Sequence, residues 1–451
     1  MLRKFAFTNF KSWPRADLAC GRITGLFGTN SSGKTSILQF LLLLKQTKEA
    51  TDRLLSLELN GDYVELGTIR DAIHQHDDSL AIETEITFEP ATPLALVDPS
   101  ARRAILAEDT AFTLATRLIV QQQAARTTQM AYKLGGHEFV LKQRSKGSDF
   151  ELNHGGDAGD FRFVRTTGRA WGLPPPIKGY AFPDQARTYY QNAQFLSDLE
   201  AAYETAIDGI FYLGPLREYP KRDYLWARSR PTDVGQRGEK AIDAILAATD
   251  NDARLNLRPR AHRLPFQGMV AHWLRHLGLI HSFKVEEIAK DSNRWQARVI
   301  TREGSSEVLL TDVGFGVSQV LPVITLLLYV AEGSTVLLEQ PEIHLHPLAQ
   351  ANLADALIYA AKHRRVQVVV ESHSEHLLLR LQRRIAEGEM SADDVKLYFC
   401  DIKGAGSILT PLELDLLGQI QNWPEHFMGD AFGETAAAER ARLGRLREAA
   451  E

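Results

Sequence analysis

The stretch Gly28-Thr29-Asn30-Ser31-Ser32-Gly33-Lys34-Thr35 fits the pattern G-x-x-x-x-G-K-[ST] at every defined position. The apolar segment 22–27 before it predicts a strand, and the leucine-rich run from residue 34 to about residue 48 predicts a buried helix. A strand, a glycine-containing turn and a helix are the context in which this pattern forms a phosphate-binding loop, or P-loop. A chance loop before a core helix is the alternative, and both flanking elements argue against it.

The residue types of the loop indicate its chemistry. Glycines let backbone N–H groups converge on phosphate oxygens, and the N-terminus of the following helix adds the positive end of its dipole. We expect Lys34 to reach the β- and γ-phosphates and the Thr35 hydroxyl to ligate Mg²⁺. Further contacts to the nucleotide are predicted for Asn30, Ser32, Gly33 and Ser36. The predicted cofactors are therefore ATP and Mg²⁺.

Two apolar strands near the other end of the chain finish in polar residues. The strand 335–339 ends in Glu339, an acid of the kind that holds magnesium opposite a P-loop. The strand 366–371 runs into Ser372-His373-Ser374, and the carboxyl edge of a parallel sheet is where open α/β folds bind ligands. Many strands end in Glu, and a lone His is more often structural. Paired with the P-loop, however, Glu339 is a predicted metal ligand.

Composition excludes several classes of protein. The chain has 451 residues, of which 44% are hydrophobic and 24% charged, as in a soluble globular protein of two or three packed units. The net charge of -5 gives no overall attraction to nucleic acid. Cys20 and Cys400 are too few for a disulfide framework or zinc cluster, which fits a cytoplasmic setting. The most apolar stretch, 320–330, is about half as long as a membrane span, so no membrane association is predicted.

The chain divides into four predicted parts. These are an N-terminal lobe at 1–90 with the P-loop, a middle region at 91–300, a C-terminal lobe at 301–434 and a tail at 435–451. In the middle region the patterns predict helices at 101–123, 185–210, 239–248 and 265–277 and a strand at 295–300. In the C-terminal lobe, helices at 317–330, 347–362 and 375–387 alternate with the two apolar strands. This alternation predicts an α/β fold whose parallel sheet is covered on both faces, and the tail is predicted to be an exposed helix.

Five segments occur in one order along the chain: Asn9 to Trp13, Gly28 to Ser36, Asp312 to Gln319, Glu339 to Pro347 and Glu371 to Ser374. In this combination the chain resembles the ATPase heads of the SMC/RecF/OLD branch of the ABC superfamily. It is similar above all to the stand-alone bacterial AAA-type ATPases near that branch. The resemblance implies an α/β, ABC/SMC-like P-loop ATPase head with a doubly wound sheet and an inserted mixed α/β-helical region at 91–300.

The resemblance also implies roles for individual residues. Asp312–Gln319 looks like the signature segment, which contacts ATP held by the opposite subunit of a homodimer with split ATP sites. Gly316 and Ser318 are the expected contacts, although Gly-Phe-Gly-Val-Ser-Gln replaces the commoner Ser-Gly-Gly-Gln order. His344-Leu345-His346-Pro347 falls where the dimer-facing D-loop is expected, and His373 looks like the switch histidine that senses the γ-phosphate.

The position after Glu339 departs from the wider ABC pattern. Gln340 stands where a glutamate acts as general base on the attacking water. An amide can orient a water molecule but cannot take its proton. Gln340, Glu342 and His373 are therefore the candidate catalytic residues, and we expect slow hydrolysis with a long-lived ATP-bound dimer.

Two arginines of the middle region lie in blocks that also resemble this family, Leu213–Pro220 and Val234–Glu239. Arg217 or Arg237 could reach a phosphate, since the fixed fork of a guanidinium suits that task. An interdomain salt bridge is the alternative for both.

Three functions compete. The first is an ATP-gated dimeric switch that works with a separate effector protein in anti-phage defence or genome maintenance. A nuclease within the chain is disfavoured, because only 78 residues follow His373 and they show no obvious cluster of metal-binding carboxylates. The second is a RecF-like DNA-binding repair ATPase, for which the small basic clusters at 142–146, 258–263 and 364–365 argue, although such clusters are usually solvated surface. The third, an ABC-transporter ATPase subunit, is the weakest, because such subunits lack so long an insertion.

Overall fold

The computed structural model describes residues 1–98, 104–145, 147–158, 161–168, 172–258, 260–290, 292–424, 440–442 and 445. Along them the strands are β1 Leu2–Phe10, β2 Trp13–Ala19, β3 Ile23–Gly28, β4 Ala81–Phe88, β5 Leu94–Asp98, β6 Ala104–Asp109, β7 Phe112–Gln121, β8 Ala124–Leu134, β9 His137–Gln143, β10 Phe150–Gly156, β11 Ile210–Leu213, β12 Tyr224–Leu225, β13 Arg254–Asn256, β14 Arg263–Pro265, β15 Ser282–Glu287, β16 Arg294–Ile300, β17 Val308–Leu309, β18 Thr335–Glu339, β19 Gln367–Glu371, β20 Val395–Lys403 and β21 Gly406–Leu412. The helices are α1 Lys34–Glu49, α2 Ile69–Ala72, α3 Asp184–Tyr189, α4 Leu196–Asp208, α5 Ala241–Asp250, α6 Phe266–His276, α7 Phe315–Tyr329, α8 Pro347–His363 and α9 Glu375–Ala386.

A six-stranded sheet of order β11-β18-β19-β3-β20-β21 forms the centre of the molecule. Its strands pair in parallel except for β21, which is antiparallel at the edge. β18 and β19 are buried at every position, because both of their faces are covered. Val336 and Leu338 pack in the core that contains α5 to α9, whereas Leu337 packs in the core that contains α1 and α4. The predicted α/β fold with a doubly wound sheet is confirmed.

A seven-stranded antiparallel sheet, of order β10-β9-β8-β7-β4-β1-β2, packs against the other side of α1. In β1 the buried Phe5 and Phe7 alternate with the less buried Lys4, Ala6 and Thr8, so that one face of the strand packs in the core. The rings of Phe5, Phe7 and Phe10 lie 5.7, 4.8 and 4.6 Å from the ring of Phe40 in α1. Helix α1 is therefore packed between two sheets, and this packing fixes the position of the P-loop at its N-terminus.

The helix predicted at 101–123 is wrong, since residues 104–121 form β6 and β7. Every residue of β4 pairs with β7, from Ala81 opposite Ile119 to Phe88 opposite Phe112. This non-local pairing decides the conformation, and local helix-forming residues do not override it. The predicted helix at 185–210 is two helices, α3 and α4, and its last residue begins β11. Between the strands that the sequence predicts at 2–10 and 22–27, where it predicts a polar link, the structure has a further strand, β2.

The elements predicted in the C-terminal lobe coincide with α7, β18, α8, β19 and α9 to within two residues at each end. The predicted boundaries of the middle region, at 90 and 300, do not separate the sheets, because β7 pairs with β4 and β11 pairs with β18. The division into four parts stays a prediction. Of the predicted tail helix, residues 440–442 and 445 are described, and the rest lies outside the described residues.

Among the residues that the structure describes, no helix combines the length and the apolar composition that a bilayer span requires.

The buried carboxylate of Asp355 ties α8 to α6 and α9. It accepts hydrogen bonds from His276 Nε2 at 2.9 Å, Arg380 Nη1 at 3.1 Å and Arg384 Nε at 2.7 Å. Burial raises the pKa of Asp355, but the hydrogen bonds and the arginine charges outweigh it and bring the pKa to about 2. Because α8 and α9 follow the turns after β18 and β19, this network fixes the helices that leave the predicted site.

Asp355→Asn should lower the free energy of unfolding at pH 7 by about 2–3 kcal/mol, because the buried donors lose their charged acceptor. A carboxyl with a depressed pKa stabilises the fold above its ordinary value of 3.8 and loses that contribution as the pH falls toward 2. Urea unfolding at pH 7 and pH 3 should therefore show a smaller difference between variant and wild type at pH 3. Arg383→Gln, which removes an exposed ion pair with Glu387, is the control and should cost less than about 0.5 kcal/mol. An equal loss at both pH values would contradict a role for the charge.

Candidate nucleotide-binding site

The P-loop and the two polar strand ends meet in one cleft at the carboxyl edge of the parallel sheet. β3 ends at Gly28, and the neighbouring strands β18 and β19 end in register at Glu339 and Glu371. The cleft has a volume of ≈ 360 Å³. Its lining residues are Lys11, Ser12, Asn30, Ser31, Ser32, Gly33, Lys34, Thr35, Ser36, Gln340, Glu371 and His373. The fold thus brings the P-loop residues together with Gln340 and His373.

The P-loop backbone is wound so tightly that two of its positions require glycine. Gly28 has a φ of 142°, and a Cβ atom there would lie 2.0 Å from the carbonyl oxygen of Cys400. Gly33 has a φ of 90°, and its carbonyl accepts a 2.9 Å hydrogen bond from the indole of Trp13. These bends lead directly into α1, whose first turn leaves backbone N–H groups without helical partners. The loop is therefore built as an anion-binding helix N-terminus.

The Lys34 ammonium is folded back onto the loop and is buried. Its Nζ atom donates hydrogen bonds to the carbonyl oxygens of Gly28 at 3.1 Å and Thr29 at 2.6 Å. Burial lowers the pKa of Lys34, and the nearby charge of Glu371 acts in the opposite direction. A phosphate in the cleft would replace these neutral acceptors with charged ones, which form stronger hydrogen bonds.

The Thr35 hydroxyl lies against Glu371, a residue that the sequence did not single out as a site residue. Oγ1 of Thr35 is 3.0 Å from Oε1 and 2.9 Å from Oε2 of this carboxylate, to which it donates. Burial raises the pKa of Glu371, whereas the Thr35 hydrogen bond and the Lys34 charge lower it. The signal was present in the sequence, because Glu371 ends a buried apolar strand in the same manner as Glu339.

Glu339 lies beside Glu371 at the tip of the adjacent strand and accepts a 2.9 Å hydrogen bond from the Tyr212 hydroxyl. Burial and the charge of Glu371 raise the pKa of Glu339 to about 7. The two carboxylates and the Thr35 hydroxyl are hard oxygen donors of the kind that Mg²⁺ prefers. In the described part of the chain, no group of three or more His, Cys, Asp or Glu side chains is arranged to hold a metal by itself.

Gln340 begins the turn after β18 with a φ of 42°, in the left-handed region. Its backbone N–H donates a 2.8 Å hydrogen bond to the carbonyl oxygen of Glu371, and its side chain lines the cleft. A non-glycine residue keeps this conformation only where its surroundings enforce it. The amide is thereby held next to the expected phosphates.

Glu342 and His373 are coupled through one carboxylate oxygen. Oε1 of Glu342 accepts hydrogen bonds from the Ser372 hydroxyl at 2.7 Å and the His373 backbone N–H at 2.8 Å. Burial raises the pKa of Glu342, against the effect of these hydrogen bonds. Burial and the Lys34 charge lower the pKa of His373, so its imidazole is neutral near pH 7. Glu342 therefore fixes the backbone of His373 through this hydrogen bond, and the histidine itself lines the cleft.

The signature residues Gly316 and Ser318 lie outside the cleft of their own chain. Helix α7 begins at Phe315, and Gly316 is in its first turn, where backbone N–H groups can bind an anion. The Ser318 hydroxyl is buried and donates a 2.9 Å hydrogen bond to the carbonyl oxygen of Phe315. In this conformation Ser318 cannot donate to a phosphate, and the backbone around Gly316 is the better-placed part of the segment.

The arginines of the family-like blocks differ in position. Arg217 is buried and donates to the backbone carbonyls of Pro215, Glu339 and Gln340. Its hydrogen bonds thus go to backbone carbonyls and not to the salt-bridge partner considered from sequence, and the phosphate contact stays a prediction. Arg237 is exposed. In the basic cluster at 258–263 the described arginines are exposed, whereas Arg364 is folded onto the carbonyl oxygen of Val330.

The facing carboxylates predict an unusual pH dependence of the nucleotide-free protein. Because the folded-state pKa of Glu339, about 7, exceeds its ordinary value of 4.5, its stabilising contribution is full below pH 4.5 and is lost as the pH rises through 7. Glu339→Gln should therefore melt at a higher temperature than wild type at pH 8, and this advantage should vanish at about pH 4, below the ordinary pKa of the carboxyl. The measurement is thermal unfolding without nucleotide or metal.

The control for this prediction is Glu151→Gln, which removes an exposed carboxylate 3.6 Å from Arg144 and should leave the melting temperature within error at both pH values. A Glu339→Gln variant that melts below wild type at pH 8 would show that the carboxylates do not repel each other.

Comparisons with known proteins agree with this geometry. Residues 144–380 match the family described as "AAA domain, putative AbiEii toxin, Type IV TA system", and residues 390–437 match "Protein of unknown function (DUF3696)". The first range contains Glu339, Gln340 and His373, whereas the P-loop precedes it. No curated protein sequence is significantly similar to the chain.

Similar solved structures include three SMC heads, each 11% identical in sequence. The SMC head bound to the C-winged helix domain of ScpA has a TM-score of 0.44 and covers 92% of this chain and 98% of that one. The SMC head domain from Thermotoga maritima has a TM-score of 0.42, with 91% and 99% covered. The Smc head with an extended coiled coil, bound to the C-terminal domain of ScpA derived from Pyrococcus furiosus, has a TM-score of 0.42, with 92% and 96% covered.

The match at 144–380 spans 237 of the 451 residues, more than half of the chain. The predicted relationship to AAA/ABC-type ATPases is thereby confirmed, and the chain belongs to the family of AAA domains that includes putative AbiEii toxins.

Proposed function

We propose that the chain binds Mg²⁺ and ATP in the cleft between the P-loop and the ends of β18 and β19, and that it hydrolyses ATP slowly. The observation that carries this proposal is the Thr35 hydroxyl of the P-loop on the buried Glu371 carboxylate, which lines the cleft and has Glu339 in register beside it on the adjacent strand. A cation and a helix N-terminus attract the phosphates, and the carboxylates attract the metal.

The described residues fit both cofactors. Lys34 exchanges its two loop carbonyls for phosphate oxygens, and the first turn of α1 donates backbone N–H groups to them. Thr35 and Glu339 hold the magnesium ion, which neutralises phosphate charge when bound. Asn30, Ser32, Gly33 and Ser36 complete the wall around the phosphates. In the absence of the ion, two desolvated carboxylates repel each other, so the cleft favours binding of a divalent cation.

The residues around the expected γ-phosphate suit water positioning more than proton abstraction. Gln340 presents an amide, which orients a water molecule and takes no proton. The neutral His373 offers a hydrogen bond to the γ-phosphate. Glu342 is buried and acts on hydrolysis indirectly, through the hydrogen bond that it accepts from the His373 backbone. This arrangement supports slow hydrolysis and a long-lived ATP state.

The signature segment supports a dimer with split sites. Gly316 and the N-terminus of α7 line no part of the cleft of their own chain, and in a dimer they would contact ATP bound by a second copy. A closed symmetric dimer satisfies both signature segments at once. ATP then acts as a clamp that switches the dimer between two states. The family description names a putative toxin of a type IV toxin–antitoxin system, which fits a cytoplasmic switch for a separate effector in anti-phage defence or genome maintenance.

Nucleotide should control the oligomeric state. Light scattering should give the monomer mass of 50.4 kDa without nucleotide and twice that value with Mg²⁺ and ATP. Lys34→Ala should stay monomeric under both conditions, because the phosphates lose their buried cation. Lys362→Ala removes an exposed lysine paired with Glu389 and should dimerise like wild type. The proposed dimer would be contradicted if the mass of the wild type did not change with ATP. It would also be contradicted if Lys34→Ala still dimerised in response to ATP.

Turnover should be slow and should depend on Glu342. We expect fewer than about one ATP hydrolysed per chain per second. Glu342→Gln should lower the turnover number about tenfold or more, because the residue behind His373 loses its charge. Glu389→Gln changes an exposed carboxylate and serves as the control in the same phosphate-release assay. Turnover of many ATP molecules per second together with a harmless Glu342→Gln would overturn the proposal.

A further inference from the structure

Arg217 is one of the few charged side chains in the interior, and its partners are backbone carbonyl oxygens. Nη2 donates to the carbonyl of Glu339 at 3.0 Å, and Nη1 donates to the carbonyls of Pro215 at 3.0 Å and Gln340 at 3.3 Å. The residue is 4% exposed. Both terminal nitrogens are hydrogen-bonded, whereas Nε is buried without a hydrogen-bond partner among the described residues. Because burying a guanidinium is costly, a position that keeps one uses the geometry of its planar fork.

Two of the three carbonyls that Arg217 holds, those of Glu339 and Gln340, lie where β18 passes into the turn that presents the Gln340 amide to the cleft. Gln340 is fixed from both sides, since its N–H donates to the Glu371 carbonyl and its own carbonyl accepts from Arg217. Its φ of 42° is a conformation that a non-glycine residue adopts only under such constraint. Loss of the Arg217 contacts frees the carbonyl side of this turn, and the direction of the Gln340 side chain then becomes variable.

The segment that carries Arg217 is itself anchored. The N–H of Gly214 donates to the carbonyl of Gln236 at 2.8 Å, and the N–H of Glu218 donates to the carbonyl of Arg237, also at 2.8 Å. The ring of Tyr219 packs on Phe315 at the start of α7, with centroids 5.1 Å apart. The segment between β11 and α7 is therefore fixed at several points. It holds the Arg217 guanidinium against the turn after β18.

We propose that Arg217 is a positioning residue, which sets Gln340 in the conformation that orients the attacking water. It acts through the backbone of the turn and does not itself line the cleft. This inference rests on the proposed function, because it assigns how the cleft prepares hydrolysis. It predicts that Arg217 affects the hydrolytic step and leaves the binding of ATP nearly unchanged.

The test compares Arg217→Ala, Arg217→Lys, Gln340→Ala and the double variant Arg217→Ala/Gln340→Ala in the full-length protein. Arg217→Ala should lower kcat about 10- to 100-fold, as expected for a displaced orienting group, and should change KM less than about threefold. Arg217→Lys should recover only part of kcat, since one ammonium cannot span carbonyls held by a fork. The double variant should be no slower than the slower single variant, because both changes remove the same orienting amide.

Controls separate this inference from folding and from the proposed function. Arg53→Ala removes an exposed arginine paired with Asp184 and should keep wild-type kinetics. Thermal unfolding and ATP affinity, measured on each variant, show whether the cleft is intact, and Arg217→Lys stands in if Arg217→Ala does not fold. A raised KM at unchanged kcat, or fully additive effects in the double variant, would overturn the positioning role. Failure of the wild type itself to bind ATP would instead overturn the proposed function.

Discussion

Two buried carboxylates, Glu339 and Glu371, stand side by side because adjacent parallel strands end in register, and this constraint governs the site. Burial and the charge of Glu371 raise the pKa of Glu339. Carboxylates placed together away from water disfavour the folded state unless a cation lies nearby. The P-loop supplies Lys34 and the Thr35 hydroxyl directly opposite. Binding of a divalent cation together with phosphates would therefore offset the unfavourable proximity of the two carboxylates.

The remainder of the structure holds the strand ends and their turns in place. The parallel sheet is packed on both faces, so β18 and β19 cannot shift in register without exposing apolar side chains. Asp355 binds the helices that leave both turns, and Arg217 binds the carbonyls of the turn after β18. Polar groups that are expensive to bury are therefore concentrated where precision is needed, around the residues that face the phosphates.

The sequence predicted the C-terminal lobe closely, because buried parallel strands such as 335–339 are continuous apolar runs that alternate with helices. The prediction failed at 101–123, where the chain forms strands because β7 pairs with β4. Local residues do not reveal this partner. For the site, the P-loop pattern predicted Lys34 and Thr35 directly, whereas the role of Glu371 required knowing which strand borders β3. Arg217 could not be assigned from sequence, since its partners are backbone carbonyls 122 and 123 residues away.

The central claim, that the acidic strand ends and the P-loop form one site for Mg²⁺ and ATP, is tested most directly by titration calorimetry. ATP is titrated into the wild-type chain with Mg²⁺ and again with a chelator that removes it. The account predicts one ATP bound per chain and an affinity at least about tenfold higher with Mg²⁺, because only the ion offsets the charges of Glu339 and Glu371. Equal affinities under both conditions, or no binding with Mg²⁺ present, would contradict it.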